Sequence, residues 1–164
     1  MDAMRIEGTI HPRPPLGGSR ARAEVDDLTS AEIRSLNLGY NRSARENSTP
    51  MWIEHDPNNG EVGKVVATWC RPDGSMGMRA NVTDERAKDM VRSGEMRGLS
   101  IGSSIQHHAG RPFDGRLTHN FTEVSLTTEP RRPWCYIHEI DGQPCVVHAT
   151  ASASGASLNI RFLL

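Results

Sequence analysis

Apolar and polar positions alternate in short runs along most of this chain, and one stretch carries a clear helical period. Met4 to Ile10 (MRIEGTI) alternates as a strand does, placing every second side chain on one face. Met51-Trp52-Ile53-Glu54, Val62 to Cys70 and Met76 to Val82 follow as strand-like pieces. Pro72-Asp73-Gly74 separates the last two with a turn signal, because glycine accepts positive φ. The stretch TDERAKDMVRSGEM predicts a helix: Thr83 or Asp84 caps it, acids fill its first turn, and Ala87, Met90 and Val91 form an apolar stripe. Gly94 sits where a C-terminal cap glycine belongs. Strand patterns return at Met96 to Ile105 and Asn120 to Thr128, and Trp134 to Val147 reads as a hairpin around Asp141-Gly142.

The intervening segments carry weaker signals. Residues 11 to 22 are dense in Pro, Gly and Arg and read as an irregular loop, and residues 39 to 50 as a polar loop. Between them, Thr29-Ser30-Ala31-Glu32 has capping-box spacing, with Ile33 and Leu36 supplying a short amphipathic turn or two. An order of mostly strands with one good helix describes a mainly-β (α+β) domain with flanking helices. Its expected extent is residues 1–148. Residues 149–164, opening in an Ala/Ser/Gly run, are expected to form a flexible tail.

Composition narrows the classes. A chain of 164 residues that is 36% hydrophobic and 24% charged suits one modest core. A formal charge of −1 offers no electrostatic case for nucleic acid or a membrane surface. Asp2, Arg5 and Glu7 interrupt the start where a signal peptide needs an apolar run, so the chain is not expected to be secreted. The three cysteines, Cys70, Cys135 and Cys145, form no Cys-x-x-Cys pair and suit free, mostly buried thiols, with a Cys135–Cys145 bridge as the alternative.

Candidate chemistry centres on Gly98-Leu99-Ser100-Ile101-Gly102, a match to the G-x-S-x-G nucleophile elbow. That elbow needs a strand before its serine and a helix after it. Here the helix comes first and a β-prone run follows, so the match is accidental at the level of fold. A serine nucleophile still requires a base and a group to orient it. The histidines are His11, His55, His107, His108, His119, His138 and His148; none pairs with another at i, i+4, and no cysteine pair joins them, which argues against a zinc site. His55 closes a strand-like segment ahead of a turn, a position that a structural histidine fills equally well.

Three segments taken in order add a resemblance. WIEHDPNNGEVGKV places a histidine at a strand end, MVRSGEMRGLSIGSSI sets a helix and glycine turn before the serine strand, and TEVSLTTEPRR forms a third strand ending in two arginines. Together they resemble the capsid maturation protease superfamily of tailed-phage prohead proteases and herpesvirus assemblins, over roughly residues 50 to 135. The resemblance implies an antiparallel β-barrel-like core. It also implies Ser100 as nucleophile, His55 as general base and Glu123 as the third triad member, as in the phage branch. His119 is the rival for that third place, because the herpesvirus enzymes use a second histidine. Arg131 and Arg132 correspond to the herpesvirus pair that forms the oxyanion hole, with Pro130 in the phage manner where the herpesvirus strand has glycine.

By the same resemblance the chain would be a viral serine endopeptidase that cuts scaffold protein inside an immature capsid, without metal or organic cofactor. Its partners would be the scaffold, the major capsid protein and, as an option, a second copy of itself. Assemblins cut between alanine and serine, and Ala151, Ala153 and Ala156 each precede a serine, which makes them candidate self-cleavage positions. A non-catalytic capsid- or scaffold-binding module of the same fold is the alternative reading, and an unrelated serine hydrolase the third.

Overall fold

The computed structural model describes residues 2–13, 28, 30–46, 49–106, 118–152 and 155–162; for 103–106, 118–122, 146–152 and 155–162 it describes the backbone alone. Among the described residues nine strands form one sheet: β1 (Met4–His11), β2 (Pro50–Ile53), β3 (Gly63–Cys70), β4 (Met76–Val82), β5 (Gly98–Gln106), β6 (Thr118–Thr127), β7 (Ile137–Ile140), β8 (Gln143–Ser152) and β9 (Gly155–Phe162). Helix α1 (Ser30–Arg45) lies between β1 and β2, and α2 (Glu85–Arg92) between β4 and β5. The strand order is β5-β6-β2-β3-β4-β1-β7-β8-β9.

The sheet curls until its β5 edge meets the start of β7. Leu99 donates its backbone N–H to Cys135 O at 2.8 Å, and Ile137 donates to Arg97 O at 2.9 Å. This seam makes the first seven strands barrel-like, with helices outside as expected from the sequence. The pairings are antiparallel with one exception: β2 runs parallel to β6, Met51 facing Val124 and Ile53 facing Leu126. The long connection from β2 through β3, β4, α2 and β5 to β6 is what a parallel pair requires.

Alternation explains which faces are buried. Met4, Ile6 and Ile10 of β1, Met76, Met78, Ala80 and Val82 of β4, Leu99 of β5 and Val124 and Leu126 of β6 belong to one apolar core. β6 is enclosed on both sides from residue 123 to 127. Its apolar residues Val124 and Leu126 alternate with Glu123, Ser125 and Thr127, which are equally buried. α2 begins at Asp84, whose side chain accepts from the Ala87 N–H, and is followed by Gly94 at φ 79°. The Asp141-Gly142 turn has both residues at positive φ, as a tight hairpin demands.

One sequence expectation needs correction. α1 runs for 16 residues to Arg45, where a turn or two followed by a polar loop was expected. Its buried stripe continues from Ile33 and Leu36 to Tyr40, so residues 39–45 are helical on a tertiary contact that local polarity hides. After residue 148 the described backbone continues in strands. β8 and β9 pair antiparallel, with Val147 opposite Ile160 and Ala151 opposite Ala156. Small side chains do not oppose strand pairing when the main chain supplies the hydrogen bonds and a partner lies beside it. The predicted cap residue Thr29, most of the Pro/Gly/Arg loop, His107, His108 and Ala153 lie outside the described residues.

All three cysteines are free thiols; Cys70 is exposed, and Cys135 and Cys145 are buried. Burial pushes the Cys135 thiol up to about 12, slightly offset by the charge of Arg132, and raises Cys145 as well. Because the thiolate is the reactive form, iodoacetamide at mildly alkaline pH should modify native protein at Cys70 and reach Cys135 only after denaturation. Peptide mass mapping reads the result. Equal labelling of Cys70 and Cys135 in native protein would contradict the closed seam.

Candidate active site

Three strands and one turn assemble the site. Ser100 stands in β5 and pairs across the ladder with Ser125 of β6; Gly102 pairs likewise with Glu123. Residues directly opposite in a ladder project to the same side, so Ser100, Glu123 and Ser125 share a face. That face points away from the side to which Leu99, Val124 and Leu126 contribute core. Ser100 lies inside a strand rather than at a strand-to-helix elbow, and α2 precedes it.

His55 reaches this face from the end of β2. Glu54 and His55 both adopt left-handed backbone, at φ 51° and 59°. Non-glycine residues enter that region at a cost of roughly 1–2 kcal/mol each. Four hydrogen bonds hold the reversal. The Glu54 N–H donates to Leu126 O at 3.0 Å, the Asp56 N–H to Ile53 O at 3.0 Å, and the Thr128 N–H to Glu54 Oε1 at 2.7 Å. The fourth runs from the His55 N–H to Ser125 Oγ, also at 3.0 Å. The turn is thus fastened along β6, and it swings the imidazole back over that strand.

The imidazole bridges the other two groups. His55 Nδ1 lies 2.5 Å from Glu123 Oε1, and His55 Nε2 lies 2.8 Å from Ser100 Oγ. An ionised carboxylate only accepts, so Nδ1 carries the hydrogen and, in the neutral ring, Nε2 is free to accept from the Ser100 hydroxyl. The second carboxylate oxygen, Glu123 Oε2, accepts from Ser125 Oγ–H at 2.7 Å. Water reaches 1% of Glu123 and 7% of Ser100, whereas the His55 side chain is 41% exposed. A buried acid, a covered hydroxyl and a ring open to solvent on one edge form a line that can move a proton from Ser100 to Nε2.

Sterics explain the glycines around Ser100. A Cβ on Gly102 would stand 1.8 Å from Glu123 Oε1, so the carboxylate occupies the space of the missing side chain. A Cβ on Gly98 would stand 2.7 Å from the Pro130 ring. Gly98-x-Ser100-x-Gly102 is therefore a packing requirement on both sides of the serine.

The remaining sequence candidates fall as follows. Arg131, exposed, and Arg132, half-buried, lie in the segment between β6 and β7. That segment passes Gly98 through Pro130 and returns to Leu99 through the Cys135 carbonyl. The charge of Arg132 is felt at Tyr40 and Cys135. His119 pairs with Ile105 in the β5–β6 ladder, four residues before Glu123, or about 13 Å along an extended strand; the imidazole Nδ1 of His55 is taken by Glu123. Among the described residues no group of three or more His, Cys, Asp or Glu side chains gathers to hold a metal ion.

Two residues that touch Glu123 were not singled out from the sequence. Tyr40 of α1 donates its hydroxyl to Glu123 O at 3.1 Å. Burial, reinforced by the Glu123 charge and opposed by Arg132, raises its phenol well above the usual value, which keeps it a neutral donor. Its signal was the helical stripe Ile33, Leu36, Tyr40. Ser125 was readable from the two-residue strand period that puts it on the face of Glu123.

No protein-family profile and no curated protein sequence matches this chain. Among solved structures it is similar to Kaposi's sarcoma-associated herpesvirus (KSHV) protease. Against that protease in complex with a hexapeptide phosphonate inhibitor, the TM-score is 0.47 at 15% identity, covering 79% of this chain and 61% of the other. This chain thus spans about three-fifths of that protease chain. Against the complex with a dimer disruptor, the TM-score is 0.44 at 17% identity, covering 82% and 74%.

The Gly102 contact yields a direct test. Gly102→Ala should destabilise the fold by about 1–3 kcal/mol through overpacking, read by denaturant unfolding. Adding Glu123→Ala should recover part of that loss, because the clashing carboxylate is gone. Two costs that simply add would place the strain elsewhere.

Proposed function

We propose that this chain is a serine endopeptidase that works through Ser100, His55 and Glu123. The observation that carries the reading is the unbroken hydrogen-bond line from Glu123 through His55 to Ser100, supplied by β6, the β2 turn and β5. Ser100 Oγ attacks the scissile carbonyl while His55 Nε2 takes its proton. The new C–O bond gives a tetrahedral oxyanion and an imidazolium, which Glu123 stabilises from Nδ1. The imidazolium then protonates the leaving amine as the C–N bond breaks, and water releases the acyl group by the same route.

The oxyanion needs donors. The resemblance assigns them to Arg131, through its backbone N–H, and to Arg132, through a held water; donors aimed at the developing charge commonly contribute several kcal/mol. Scaffold protein as substrate, the capsid protein and a second copy of this chain as partners, and the procapsid interior as the setting rest on the motif resemblance alone. Self-cleavage faces an added barrier, since Ala151 and Ala156 oppose each other in the β8–β9 ladder. Cutting after either would require those strands to separate.

A fluorophosphonate probe with intact-mass readout tests the chemistry. Wild-type protein should gain one adduct on Ser100, and Ser100→Ala none. His55→Ala should lower the labelling rate on the order of 10⁴-fold, and the Ser100→Ala/His55→Ala pair should cleave no more slowly than either single variant, because triad members act as a unit. Glu123→Gln should reduce labelling on the order of 10²-fold or more, while His119→Ala leaves it within a few-fold; the reverse order would transfer the third role to His119. Silence of wild-type protein across probe concentrations would favour a binding module of the same fold.

A further inference from the structure

Ser125 closes a ring of hydrogen bonds that begins and ends on His55. The backbone N–H of His55 donates to Ser125 Oγ at 3.0 Å, Ser125 Oγ–H donates to Glu123 Oε2 at 2.7 Å, and Glu123 Oε1 accepts from His55 Nδ1. The serine is 0% exposed, so no water competes for either bond. We infer that Ser125 is a positioning residue that fixes both the carboxylate and the left-handed turn of His55, and so sets the imidazole tautomer that faces Ser100. This rests on the proposed function for its catalytic consequence, but not for its geometry.

Each bond has a separate effect. A carboxylate with one oxygen on the imidazole can rotate about its last torsion, which is soft. The Ser125 donor holds the other oxygen and keeps the carboxylate aligned with Nδ1. The His55 N–H, in a backbone conformation that costs energy, has Ser125 Oγ as its acceptor. Without it a donor is left beside a buried charge, and the turn that aims the ring loosens. Hydrogen bonds arranged in such a circuit also polarise one another. Ser125 does not touch the Ser100–His55 bond, so it acts through Glu123 and His55.

Two readouts on Ser125→Ala and Ser125→Thr test the inference, with thermal unfolding confirming that each variant is folded. The first is the tautomer of His55, read from nitrogen-15 spectra at a pH where the ring is neutral, which requires no activity. Wild-type protein should hold the hydrogen on Nδ1; Ser125→Ala should shift the ring toward the Nε2–H form, and Ser125→Thr, which keeps the hydroxyl, should not. The second is the fluorophosphonate labelling rate of Ser100. Ser125→Ala should lower it about 10²-fold, the scale of a small misplacement in an active site. The same change in a Glu123→Gln background should add less than about twofold, because residues acting through one another are not additive. If Ser125→Ala does not fold, Ser125→Cys, of similar volume and a weaker donor, should show the same shifts in smaller measure.

An unchanged tautomer and labelling rate in folded Ser125→Ala would overturn the inference while leaving the protease reading intact. Equal losses in both backgrounds would also overturn it, by showing a general packing role. A tautomer that responds as expected in a protein whose Ser100 never labels would uphold the positioning role and reject the protease.

Discussion

Glu123 brings a carboxylate to a place where water reaches 1% of the residue, and an ionised group there must replace its hydration with hydrogen bonds. Two side chains bond the carboxylate, and a third fixes the main chain that carries it. The β2 turn supplies the imidazole to Oε1, β6 itself supplies Ser125 to Oε2, and α1 supplies the Tyr40 hydroxyl to the Glu123 carbonyl. β5 contributes by omission, since Gly102 leaves the space that the carboxylate fills. Removing His55 or Ser125 leaves the buried carboxylate incompletely paired, which costs more than losing a surface contact would.

The parallel pairing of β2 with β6 decides how the imidazole reaches that carboxylate. Parallel strands run together, so the end of β2 exits beside Leu126, past the residues it must serve. The chain then has to double back, and it does so through two successive left-handed residues. An antiparallel β2 would have entered from the other end and placed His55 near the start of β6. The strained reversal is the local consequence of a strand direction set by the whole sheet. It persists because Leu126, Ser125 and Thr128, all on or beside β6, bond to it.

What the sequence made legible divides along physical lines. β4 was legible to the residue, and β1 and α2 within a few, because short alternation and a capped amphipathic stripe are local signals. The 39–45 part of α1 was hidden, since Asn41 and Arg42 read as loop, and tertiary contacts that local polarity does not show, Tyr40 to Glu123 and Asn41 to Thr68, hold them helical. The β8–β9 pairing was hidden too: Ala, Ser and Thr carry little hydrophobic pattern, and a ladder held by main-chain bonds leaves none to read. In the site, motif order singled out Ser100, His55 and Glu123 as candidates, and the structure brings these three side chains within hydrogen-bond distance. The parallel register and the role of Ser125 depend on which strands become neighbours, which local pattern does not encode.

The pentapeptide around Ser100 shows why a short motif needs its surroundings. In an elbow, small residues flank the serine so that a tight turn can form. Here the flanking glycines sit in a regular strand, and each gives way to a different neighbour. Gly98 makes room for Pro130, which begins the segment that closes the barrel-like seam and carries Arg131 and Arg132. Gly102 makes room for the Glu123 carboxylate beside His55. Leu99 between them points into the core and anchors the strand, its N–H joined to Cys135 across the seam. The five residues therefore tie the serine at once to the acid, the arginine segment and the barrel closure, on a scaffold that has no elbow.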